Sequence, residues 1–173
     1  MERAQVGPSA GIRILNADSG LMKKPALWAL GALALALLPV AILAFNNDGK
    51  TDILWRSYGG TNSGDNAAWF MDGITLDSTT SLDAVTDTNW KMAGTGDFNN
   101  DGQLDIVWRH MTNGQNAVWF MDGTTFVDAA SLDTVSDTNW EIVGVDYFSG
   151  YTDQYVDIVW RHATNGQNAI WFM

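Results

Sequence analysis

Three stretches of this chain are near copies of one another. DILWR at 52–56 returns as DIVWR at 105–109 and again at 157–161. NAAWFMDG at 66–73 returns as NAVWFMDG at 116–123 and NAIWFM at 168–173, and SLDAVTDTNW at 81–90 returns as SLDTVSDTNW at 131–140. Corresponding tryptophans lie 53 and 52 residues apart (Trp55, Trp108, Trp160), 50 and 52 apart (Trp69, Trp119, Trp171) and 50 apart (Trp90, Trp140). A unit of about 50 residues falls in the range of propeller blades, in which each repeat covers the apolar faces of its neighbours.

Each unit reads as four short strands. In the second they are 89–98, 104–110, 116–122 and a weaker 124–132. TNGQ at 112–115, repeated at 164–167, joins the second strand to the third. Its Asn-Gly pair is a strong hairpin signal, because both residues accept positive φ. In the third strand Ala117, Trp119 and Met121 alternate with Val118 and Phe120. Both faces are apolar, so the strand needs cover on both sides, and stacked sheets provide it. Eight of the nine tryptophans occupy fixed repeat positions. They read first as core between blades and second as a sugar-stacking platform. No segment after residue 45 shows helical period. The expected fold is all-β: a partial β-propeller of about 2.5 four-stranded blades, preceded by an N-terminal hydrophobic helix.

That helix is expected from ALWALGALALALLPVAILAF, residues 26–45, which carry no charge and follow Lys23 and Lys24. Two readings stand. A secretory signal would use Ala26–Leu38 as its apolar region and Ala44 at the scissile bond. An uncleaved anchor would use the whole run to span a bilayer. Both place everything after Phe45 outside the cytoplasm. The domain reading is therefore an N-terminal tail at 1–22, with Met22 an alternative start; a signal peptide or anchor at 23–44; and repeats at 45–173.

Charge is divided just as sharply. Residues 1–24 have net charge +2, whereas residues 45–173 carry 5 basic and 18 acidic side chains. Seventeen of the 18 are Asp, and only Glu141 is Glu. An acidic helical surface would use Glu freely; Asp favours turns and short-armed ligands. Such a field repels nucleic acid and anionic membrane and attracts cations, so any membrane contact is expected only through the N-terminal segment. There is no cysteine, which excludes disulfides and thiolate metal sites.

The densest acidic stretch is GDFNNDGQLDIVWRH, residues 96–110. Asp97, Asn99, Asp101, Gln103 and Asp105 take positions 1, 3, 5, 7 and 9 of a loop with Gly102 at position 6. This is the first part of an EF-hand-type loop, in which position 7 gives its backbone carbonyl. Position 12 is Trp108 instead of Glu and no helix flanks the loop, so it is not an EF-hand. Oxygen donors alone favour Ca²⁺ over zinc or copper. The competing reading is an Asp/Asn-Gly turn that needs no metal. The first copy keeps Asn46, Asp48 and Asp52, but has Ala44 at position 1 and Lys50 at position 7, so weaker binding is expected there. The third, 146–157, is two residues longer and loses the spacing, so little or none is expected.

No catalytic residue is assigned. A carboxylate pair for catalysis needs one cleft with two different environments, and three copies of a loop do not suit that. His110 and His162 are equivalent, with Ser57 in the first unit, a pattern that suits a structural or rim position. There is no nucleophile elbow, phosphate loop or His-x-x-x-His pair.

DFNNDGQLDIVWR followed by NAVWFMDG resembles the FG-GAP/VCBS-like repeats of exported bacterial proteins, relatives of the integrin alpha-subunit propeller repeats. The resemblance spans about residues 44–173 and is strongest in the second unit. It implies a β-propeller, with Ca²⁺ stiffening a loop between two strands of a blade at Asp97, Asn99, Asp101, Gln103 and Asp105. It also implies a secreted or cell-surface protein, acting non-catalytically in adhesion or ligand binding on a glycan or a protein. Similar Trp-rich propellers include sugar-binding lectins, and an accessory module of a larger secreted enzyme is a further reading. Closed propellers use at least about four blades. The repeats are therefore expected to be part of a longer product or to self-associate through open blade faces.

Overall fold

The computed structural model describes residues 12–15 (backbone only), 44–149 and 155–173. The run read as a signal peptide or anchor lies outside the described residues except for Ala44, as does the tail at 1–22 except for residues 12–15. Among the described residues no helix is long and apolar enough to cross a membrane.

In chain order the strands are β1 (Ile12–Leu15), β2 (Ile53–Arg56), β3 (Asn66–Asp72), β4 (Thr75–Leu82), β5 (Trp90–Gly96), β6 (Asp105–His110), β7 (Asn116–Asp122), β8 (Thr125–Leu132), β9 (Trp140–Asp146), β10 (Asp157–His162) and β11 (Asn168–Trp171). They form three antiparallel sheets, β2-β3-β4, β5-β6-β7-β8 and β9-β10-β11-β1, an arrangement consistent with a partial propeller. The third sheet contains a feature absent from the sequence reading. β1 pairs with β11, Ile12 opposite Trp171, in the place held by β4 and β8 in the other sheets.

The TNGQ hairpin differs from expectation in detail. Gly114 has φ +74, but Asn113 is not in the left-handed region. The turn closes through His110 N–H to Gln115 O (2.8 Å) and Gly114 N–H to His110 O (3.0 Å). It is thus a four-residue loop with a single left-handed residue, where two were expected. Asn113 Oδ1 accepts from Gln115 N–H at 2.9 Å and stabilises it locally.

Strand alternation gives each sheet two distinct faces. In the second, Ile106 and Trp108 point one way, and Val107 and Arg109 the other; all four are buried. The first pair, with Met121, packs on Leu82, Leu54 and Phe70 of the first sheet and on Phe45. The second side, with Val118 and Phe120, packs on Ile158, Trp160, Ala169 and Trp171 of the third. Burying one such aliphatic side chain stabilises by about 1.5–3 kcal/mol. The inner strands β5 and β9 also approach closely. A Cβ on Gly94 would lie 2.8 Å from Val145 Cγ2, so glycine is what allows the approach.

An arginine marks each of these interfaces. Arg56 lies over the Trp108 ring of the next sheet (5.2 Å), and Arg109 over Trp160 of the next (4.9 Å). Arg56 also donates to the carbonyls of Gly64, Val85, Asp87 and Trp90, and Arg109 to those of Gly114, Val135 and Asp137. These guanidinium groups tie the linkers 83–89 and 133–139 to the sheets they connect. Charge-assisted bonds to these carbonyls offset the cost of placing a charge at so buried a position.

Candidate functional site

The acidic loop leads from β5 into β6. Asn100 (φ +59) and Gly102 (φ +84) supply its left-handed bends. Asn and Gly are the residues that adopt this conformation at least cost. Within the loop, Asp97 accepts from Asp101 N–H (3.0 Å) and Gly102 N–H (2.8 Å). Asn99 Oδ1 accepts from Asp101 N–H (3.1 Å), and Asp101 Oδ1 from Gln103 N–H (2.8 Å). Asp97, Asn99 and Gln103 are half-buried and Asp101 is exposed.

Asp105 is different. It is fully buried. One carboxylate oxygen accepts from Phe98 N–H (2.8 Å), the other from Met121 N–H (3.0 Å). The same clasp recurs at Asp52, on Phe45 and Met71, and at Asp157, on Ser149 and Met173. Position 9 therefore holds the loop against the end of the third strand in every sheet, including the third, whose loop has lost the Asp spacing. Burial pushes the Asp105 carboxyl up to about 6; the two backbone donors oppose this, while Asp101 and Asp97 add to it. A buried carboxylate raised further by two neighbouring carboxylates marks a concentration of negative charge.

The five positions thus divide. Asp97, Asn99, Asp101 and Gln103 share one loop, and Asp105 underpins it from the sheet. Among the described residues no three Asp, Glu or His side chains stand as a ready-made metal cluster. The donor chemistry still suits a hard cation, since the loop offers carboxylate, amide and carbonyl oxygens and no sulfur or imidazole.

Residues 45–108 match the FG-GAP-like repeat family. That stretch takes in the whole first sheet, β5 and the Asp97–Asp105 loop. No curated protein and no solved structure matches it.

Two of the repeat units also share a clasp that sequence reasoning missed. His110 Nε2 lies 3.1 Å from Asp87 Oδ2, and His162 Nε2 lies 3.0 Å from Asp137 Oδ2. Each imidazole is crossed edge-on by the tryptophan opposite it, Trp90 or Trp140. The other ring nitrogen of His110 accepts from the backbone of Thr112 and Asn113, and that of His162 from Thr164 and Asn165. The histidines therefore join the interblade linker to the hairpin. Asp87 and Asp137 are held below the usual carboxylate range, chiefly by backbone and side-chain N–H groups of Asn89 and Asn139 and then by the histidines. The recurring DTNW motif, paired with a recurring His, was the available signal.

Proposed function

We propose that these repeats are a non-catalytic, Ca²⁺-binding stretch of an exported propeller, used in adhesion or in binding a glycan or protein ligand. One observation carries the calcium reading: the first loop makes the same turn without its first Asp. Asn47 (φ +58) and Gly49 (φ +79) repeat the bends of Asn100 and Gly102. Asn46 and Asp48 repeat the internal bonds of Asn99 and Asp101. Asp97 is thus a carboxylate that the turn does not require, placed beside Asp101 and a buried Asp105. Clustered like charges are costly unless a cation neutralises them.

In this reading Asp97, Asn99 and Asp101 give side-chain oxygens, Gln103 gives its carbonyl, and Asp105 supports the loop from below. Asp97 has lone pairs to spare for a cation while it keeps the Asp101 and Gly102 N–H groups. The bound ion supplies positive charge that links the end of β5 to the start of β6. Support for export is the uncharged run after Lys23 and Lys24; a chain exported by it does not keep β1 beside β11, since residues 12–15 lie ahead of that run. Thermal unfolding in Ca²⁺ against a chelator tests the calcium reading. At a hundredfold excess over Kd, Ca²⁺ stabilises by about 2.7 kcal/mol, and Asp97→Asn removes most of that gain. An unchanged transition with and without Ca²⁺ refutes it.

A further inference from the structure

We infer that the two outer sheet faces of this chain are complementary, and that two copies associate head to tail through them. The inference stands apart from the calcium reading. The chain already makes this contact twice. A face bearing Leu54, Arg56 and Phe70 meets one bearing Ile106, Trp108 and Met121. A face bearing Val107, Arg109, Val118 and Phe120 meets one bearing Ile158, Trp160 and Trp171.

Among the described residues each kind of face also occurs once without a partner sheet. On the first sheet the tryptophan-type face has Ile53 39% and Trp55 47% exposed, against 0% and 2% for Ile106 and Trp108. On the third sheet the arginine-type face leaves Arg161 exposed, against 1% for Arg109. Val159, Ile170 and Phe172 beside it are half-buried. The Arg161 side chain makes no hydrogen bond among the described residues. The two faces thus carry the residues of the internal contacts at the same repeat positions.

The occupant follows from that identity: a second copy brings Ile53 and Trp55 to Val159 and Arg161, continuing an interface the protein already builds. The contact is heterologous, so it closes into a ring only if the rotation per sheet allows. Two copies supply six sheets, inside the range of about four to eight blades found in closed propellers. Closure at two removes both open faces at once.

Sedimentation of the full chain across a micromolar concentration series tests this. The expected species has twice the 18.9 kDa chain mass. Arg161→Glu and Trp55→Asp each weaken the dimer about tenfold or more, through loss of the cation–π contact and its apolar surround. Arg161→Glu alters an exposed side chain, so folding is retained. An equimolar mixture of the two variants regains dimer, because one of its two contacts is native on both sides. A monomer at every concentration overturns the inference. So does a dimer that neither substitution weakens, which would place the contact elsewhere, such as the apolar run at 26–45, and so does open-ended polymer.

Discussion

The loops at 44–52 and 97–105 have nearly the same backbone and different charge. They lie side by side, Asn47 Nδ2 donating to Gln103 Oε1 at 3.0 Å. Both use an Asn and a Gly in the left-handed region, and both are clasped by a position-9 Asp. They differ at position 1, where Ala44 stands for Asp97, at position 7, where Lys50 stands for Gln103, and at position 8, where Thr51 stands for Leu104. Lys50 pairs with Asp72 at 3.3 Å across solvent, a contact worth little to stability. Asp105 is fully buried and shifted upward, whereas Asp52 is half-buried. The comparison separates two duties that the motif overlays: Asn, Gly and the ninth Asp make the turn, and the first Asp adds a charge and two backbone hydrogen bonds without which the first loop still turns.

The most disruptive way to probe that separation is to remove the clasp. Asp105→Ala leaves the Phe98 and Met121 N–H groups unpaired in a buried site. It is expected to cost about 3 kcal/mol in urea unfolding, and Asp52→Ala less, because water reaches that site. Equal losses would remove the contrast in burial. Next come the glycines. Gly102→Ala and Gly49→Ala each meet no atom within 4 Å, so the cost is backbone strain alone. About 1 kcal/mol is expected for each, measured the same way; unequal values would show that the turns are not equivalent. Smaller still is Asp97→Asn in chelator, expected within about 0.5 kcal/mol of the parent because the first loop folds without that carboxylate. A large loss there would make Asp97 a turn residue.

The smallest expected effect lies away from both loops. Asp87 and Asp137 have folded values below their unfolded value of about 3.8. Their contribution is therefore complete above that value and fades as pH falls through the lower folded one. The double variant Asp87→Asn, Asp137→Asn should show a shallower acid limb in unfolding midpoint against pH, with little change at neutral pH. An unchanged limb would mean that the loop carboxylates alone set acid sensitivity.

Much of the architecture was legible because the signals are local and repeated. Alternation in NAVWFMDG placed β7, and the apolar run after the acidic loop placed β6. The hairpin glycine was found, but its full reason was not. A Cβ on Gly114 would come within 2.0 Å of the Val135 carbonyl oxygen, a linker atom 21 positions along the chain. Asp105 was read through its loop spacing, while its bond to Met121 depends on a strand pairing that spacing does not reveal. Arg56 and Arg109, and the Asp87–His110 clasp, join elements more than 20 residues apart. Their recurrence was visible, but their partners were not. The pairing of β1 with β11 joins opposite ends of the chain, with no repeat to announce it.

Calorimetric titration with Ca²⁺ addresses the central claim, that charge at position 1 separates a metal loop from a plain turn. One ion per chain is expected. Asp97→Asn and Asp101→Ala should each weaken binding strongly, and a gain of affinity at the first loop should follow Ala44→Asp with Lys50→Gln. Absence of binding by the parent chain, or equal binding at more than one loop, would contradict the account.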